Sequence, residues 1–259
     1  MRMLKKVLGT VTVLALSVSL LAGCGSTAVS PVSSTASTAA ESTTSSVVSE
    51  TTSAAADENE AAAAQLLNDL TGSYQELWPV ILADEYKQTW LDDCTALVGE
   101  DNAEAAFEKL SSMVTGDVYG EDAVKAYANG GGAYFCGFTN SLATLTFDGE
   151  TSTISGTDKD GNVLFSHTYH YIGMEPVHEL YEFQSDDADS GEFTYFFLAP
   201  DTSAETYHIE FRYGSDAEAL SQYDAGEYAY WVASGISTDC DQTMIDNCIE
   251  LFCTENLAG

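Results

Sequence analysis

The stretch EFTYFFLAPDTSAETYHIEFRYG, Glu192 to Gly214, contains two short aromatic-rich runs separated by Pro200 and a polar connector. In TYHIEFRYG the alternation has a period of two. Thr206, His208, Glu210 and Arg212 would share one face of a strand, and Tyr207, Ile209, Phe211 and Tyr213 the other. Upstream, YFCGF, ATLTFDG, TSTISG, NVLFSHTYHYIG and VHELYEFQ repeat this texture, punctuated by turn pairs such as Asp148-Gly149 and Asp160-Gly161. Consecutive short strands with tight turns point to an antiparallel barrel or sandwich.

Outside this block the period changes. Tyr74, Leu77, Trp78, Ile81 and Leu82 are spaced as one helical face, with Pro79 expected to kink or break it. In DNAEAAFEKLSSMV, Asp101 followed by Glu104 reads as a capping arrangement ahead of an apolar face of Ala103, Ala106, Phe107, Leu110 and Met113. SDAEALSQY and DQTMIDNCIELF read as helices near the end of the chain. The fold class expected is mainly β with N-terminal and C-terminal flanking helices.

The amino terminus reads as an address. Arg2, Lys5 and Lys6 precede an apolar run from Val7 to Leu21, which suits a signal peptide better than a permanent membrane span. Leu21-Ala22-Gly23-Cys24 resembles a bacterial lipobox, which implies cleavage before Cys24 and its acylation, so that the protein is held at the cell membrane on the extracytoplasmic face. Residues 1–23 are read as leader. Residues 24–60, rich in Ser, Thr and Ala, are read as a flexible tether that cannot bury enough surface to fold, and 61–259 as one domain.

The chain has 259 residues, 41 acidic and 8 basic, with a formal net charge of −33. Three of the basic residues lie in the leader, leaving Lys87, Lys109, Lys125, Lys159 and Arg212. No basic stripe exists to neutralise phosphates, so nucleic acid is excluded as a partner. Cys94, Cys136, Cys240, Cys248 and Cys253 remain besides Cys24, with no Cys-x-x-Cys spacing. Buried free thiols, or one or two disulfides, are expected. There is no Ser-His-Asp order, no His-Glu-x-x-His, and no phosphate-loop lysine after Gly130-Gly131-Gly132, so an enzyme is not expected.

In order along the chain, LTGSYQELWPVIL (with Gly72, Tyr74, Gln75, Trp78 and Pro79), VKAYANGGGAYFCGFTNSLATLTFDG, VHELYEFQSDDADSGEFTYFFLAP and TYHIEFRYGSD resemble the ZinT family of zinc- and cadmium-binding proteins. The resemblance implies a lipocalin-like antiparallel barrel, an opening helix at 70–82, an extracytoplasmic address and service to a zinc ABC transporter. It also implies a metal held by three histidines, whose matching positions here are Phe196, Thr206 and His208. Only His208 keeps the ligand type. Glu210, next to it on the same strand face, and His170, which shares a face with Ser166 and Thr168, are the residues expected to complete a zinc site. The expectation is that His208 points into a polar barrel pocket while Tyr207, Ile209 and Phe211 pack against a helix, and that binding is lost below about pH 6 as imidazole protonates. His167 is expected to pack and His178 to lie at the surface. The alternative is a lipocalin-like carrier of a small apolar ligand whose metal site has degenerated.

Overall fold

The computed structural model describes residues 47–200 and 203–258, with side chains from 58 onward. Cys24, the leader and the first part of the tether lie outside the described residues. Eight antiparallel strands close into a barrel in simple sequence order: β1 (Gly72–Glu76), β2 (Thr144–Asp148), β3 (Thr153–Thr157), β4 (Val163–Met174), β5 (Tyr181–Ser185), β6 (Tyr195–Leu198), β7 (Ile209–Gly214) and β8 (Ala233–Ser237). This is the up-and-down architecture of lipocalins. The helices are α1 (Val47–Asp69), α2 (Leu77–Ile81), α3 (Lys87–Val98), α4 (Glu100–Val114), α5 (Glu121–Ala128), α6 (Ser203–Thr206), α7 (Ala217–Leu220) and α8 (Gln242–Leu257). Among the described residues no helix is long and apolar enough to cross a membrane.

Alternation places rings in the barrel interior. Leu145 and Phe147 of β2, Ile154 of β3, Phe165 and Tyr169 of β4, Phe183 of β5, Phe196 of β6, and Ile209, Phe211 and Tyr213 of β7 form one buried cluster. The Phe196 ring lies 5.4 Å from Tyr213, 5.9 Å from Phe165 and 6.3 Å from Phe211. Burying each such side chain contributes about 1.5–3 kcal/mol. Gly156 makes room for this filling, since a Cβ there would lie 2.4 Å from the Phe165 ring and from Leu142.

Two helical layers cover the barrel. Ala63, Leu66 and Leu67 form the helical stripe of α1 and, with Leu70 just after it, join the barrel cluster. The β2–β3 turn meets α1 so closely that a Cβ on Gly149 would lie 2.4 Å from the Asn68 backbone. The second layer joins Leu77, Trp78 and Ile81 of α2, Trp90 and Cys94 of α3, Leu110 of α4, and Ile245, Cys248, Ile249 and Cys253 of α8 over Ile236 of β8. The Trp90 indole N–H donates to the Ile81 carbonyl at 2.7 Å, fixing α2 to α3. Asp241 caps α8, its carboxylate accepting the Met244 N–H at 2.9 Å.

Several expectations are corrected. Residues 72–76 are strand β1 rather than helix, and Tyr74 joins the barrel cluster, pairing with Leu145 and Ser237. Helix α2 starts at Leu77, so Pro79 falls in its first turn, where no N–H partner is lost and nothing need break. Gly99, with φ 83°, precedes α4, and Asp101 lies inside its first turn without capping; Met113 is exposed and Val114 is buried instead. In YFCGF only Phe135 pairs, through isolated bridges to Thr115 and Trp231. Helix α1 begins at Val47, within the stretch read as tether.

Candidate metal-binding site

The β7 strand starts at Ile209, one residue after His208. Thr206 ends α6, and Tyr207 has a φ of 64°, a left-handed turn that resets the chain before the strand begins. Thr206 therefore does not share a strand face with His208. The faces of β7 are also the reverse of the expectation. Ile209, Phe211 and Tyr213 enter the barrel, while Tyr207 packs in the outer helical layer. His208 and Glu210 lie outside the barrel wall, on the side of α8. The physical reason is that the closed interior removes the aromatic side chains completely from water, whereas the outer face leaves Glu210 partly exposed.

His208 is mostly buried, and Glu210 keeps about half its exposure. The His208 Nδ1 lies 2.7 Å from the Thr206 carbonyl oxygen, which can only accept, so Nδ1 carries the proton. Its Nε2 then faces the Glu210 carboxylate, 3.7 Å from Oε1. Cys248 of α8 stands on the Nδ1 side, its Sγ 4.0 Å away. A ring nitrogen and a carboxylate facing each other at this distance can share a proton, a bridging water or a metal ion. Without a metal the proton is favoured. Burial opposes the imidazolium, but Cys248 and Glu210 outweigh it and hold His208 well above the ordinary imidazole value. Burial likewise raises the Glu210 carboxyl, and His208 more than offsets this, leaving it below the ordinary glutamate value. The pH at which Nε2 becomes free for a metal therefore moves up from the pH 6 expected of an unperturbed imidazole.

The geometry thus brings together two of the three expected ligands. His170 is placed elsewhere. Inward positions on β4 are Phe165, Tyr169 and their parity mates, so His170 projects outward and pairs with Asp186, Nδ1 to Oδ1 2.6 Å. His167 is largely covered and bonds Asp187 at 2.6 Å, while His178 stacks on Tyr223 with ring centroids 3.6 Å apart, partly covered rather than at the surface. Among the described residues no group of three or more His, Cys, Asp or Glu side chains could hold a metal ion. Zinc ordinarily takes three or four protein ligands, so the residues present do not fit a closed three-histidine centre. What they provide is one imidazole nitrogen and one carboxylate facing each other, with Glu210 at the exposed side.

Sequence reasoning missed Arg212 as a structural cation. It is fully buried on the outer face of β7, where it donates to the carbonyls of Leu220 and Tyr228 and lies over the Tyr223 ring, 4.1 Å from its centroid. It does not pair with Glu210, contrary to what its strand spacing allowed. Cys136, buried beneath the same layer, has its thiol pushed up to about 12 by burial and by Glu210. No strand periodicity announces either neighbour, because both contacts come from distant chain segments.

No family model matches the chain, and no curated protein matches it. Among solved structures it is similar to the Zn(II)-bound ZinT-like domain of Streptococcus pneumoniae AdcA, at 14% identity and a TM-score of 0.46, over 71% of this chain and 89% of that one. It is also similar to Zn(II)-bound AdcA from the same organism, at 13% identity and a TM-score of 0.43, over 70% of this chain and 34% of that one. At these values the likeness accompanies the barrel, and the site stands on the side chains of this chain alone.

Proposed function

We propose that this chain is an extracytoplasmic barrel, tethered to the cell membrane through an acylated Cys24, that binds a divalent metal ion of the zinc class at His208 and Glu210. The observation that carries the reading is the His208 Nε2 facing the Glu210 carboxylate at 3.7 Å, with Nδ1 held by the Thr206 carbonyl. A backbone carbonyl on the far ring nitrogen is how metal-ligating histidines are commonly oriented. Imidazole nitrogen with carboxylate oxygen suits zinc, with cadmium as a second cation, and two protein donors with water favour exchange over permanent retention. Such a site fits delivery to or buffering for a zinc ABC transporter, with no catalytic step. The aromatic filling of the barrel gives the reading as an apolar-ligand carrier no specific support.

The test is a calorimetric titration of zinc into the metal-free protein at pH 8, beside His208→Ala and Glu210→Ala. Binding at micromolar or weaker affinity, abolished by the first change and weakened about tenfold or more by the second, is expected. No heat with wild type, or an unchanged isotherm for His208→Ala, refutes the site. Replacing Cys24 with Ala is expected to release the protein from the membrane fraction.

A further inference from the structure

Helices α3 and α8 face each other through two thiols. The Cys94 Sγ lies 3.9 Å from the Cys253 Sγ, both side chains are fully buried, and the residues are 159 positions apart in sequence. Rings hold the two helices at this point, Trp90 of α3 lying edge-on to Phe252 of α8 with centroids 5.9 Å apart. A disulfide holds its sulfurs at about 2.05 Å, so the two Sγ atoms must approach by about 2 Å for this pair to close.

We propose that Cys94 and Cys253 form an intrachain disulfide, pinning α8 to α3, when the chain folds in the presence of a disulfide oxidant. The thiolate of one cysteine attacks the oxidant's disulfide, forming a mixed disulfide and expelling one thiol. The second cysteine's thiolate then attacks the protein sulfur of that mixed bond and releases the other thiol. The protein loses two protons and two electrons, and the oxidant disulfide becomes two thiols. The order of events follows from the burial. In the docked helices both thiols are pushed up by desolvation, are therefore poor nucleophiles, and are closed to solvent. The link is made while α8 is still undocked, and once made it is shielded from reductants. Cys240, Cys248 and Cys136 stay outside it. Cys248 is turned to His208, and Cys136 lies near its own Tyr134 carbonyl, Sγ to O 3.9 Å.

The experiment refolds the full chain from guanidinium in a mixture of oxidised and reduced glutathione, alkylates it and maps the peptides. A peptide pair joining Cys94 to Cys253 is expected, together with a melting temperature about 10 °C above protein refolded in reductant. Cys94→Ala and Cys253→Ala should each lose both the linked pair and the rise. Recovery of both cysteines as free alkylated thiols, or joined instead to Cys136, Cys240 or Cys248, overturns the proposal. The wild-type map alone decides this if the alanine variants fold poorly. Oxidised glutathione added to already folded, reduced protein should form the link at least about tenfold more slowly; equal rates would overturn the proposed order of events.

Discussion

Inside the barrel, β7 contributes Ile209, Phe211 and Tyr213 to a cluster of rings, each touching others, with the Tyr213 hydroxyl held by the Thr139 backbone. Across the same strand, a few ångströms away, stand His208, Glu210 and Arg212, covered by α8 on one side and by the segment from 220 to 228 on the other. The first region is made chiefly of packing. In the second, Arg212 takes its partners from remote segments, while His208 and Glu210 face each other with Cys248 of α8 alongside. The ring-filled interior leaves His208 and Glu210 on the outside of the wall.

The sharpest way to break that contrast is Phe196→His, which places an imidazole at the position where the resemblance would put a ligand. The structure encloses it among Phe165, Phe211 and Tyr213 with no polar partner. Lost ring packing and an unpaired polar ring should cost about 3–5 kcal/mol, read by chemical denaturation, without tighter zinc binding. A stable variant that binds zinc more tightly would show that the interior opens there. Next in size is Arg212→Met. It keeps the apolar stem but orphans the Leu220 and Tyr228 carbonyls, and a loss of about 2–3 kcal/mol is expected by the same measurement. An unchanged midpoint would mean the buried guanidinium is dispensable. Asp241→Ala removes only the α8 cap, should cost about 1 kcal/mol, and should speed amide exchange in the first turn of α8 while leaving barrel strands protected.

The smallest effect is a pH dependence. Because the folded-state His208 pKa lies above its ordinary 6.5, its contribution to stability is complete below that value and is lost as pH rises through the raised folded value. Metal-free wild type should therefore lose stability relative to His208→Gln across that rise, while zinc affinity should increase over the same range, since proton and metal compete for Nε2. Parallel profiles for the two proteins would remove His208 from the coupling.

Period-two alternation was sufficient to place β2 to β7, because one face of each strand is ring-filled interior and the other is not, and the Asp-Gly turns mark where the chain reverses. The helical spacing of Ile245, Cys248 and Ile249 was equally readable in α8. The two strands that close the barrel were not. Ser73, Tyr74 and Gln75 precede Leu77 and Trp78 at helical spacing, so β1 is disguised by the helix that follows it. The Ala233-Ser234-Gly235-Ile236-Ser237 run of β8 has too little apolar bulk to show a period, because it is buried on both faces and Gly235 packs directly on Ile209 and Phe138. At the site, the adjacency of His208 and Glu210 was legible because two residues are all it needs. Their side of the wall was not, since alternation says that two faces differ and leaves open which one is inside. That was settled by burial of the larger apolar area in the closed interior, by the left-handed turn at Tyr207, and by α8 arriving from forty residues downstream with Cys248 against the ring.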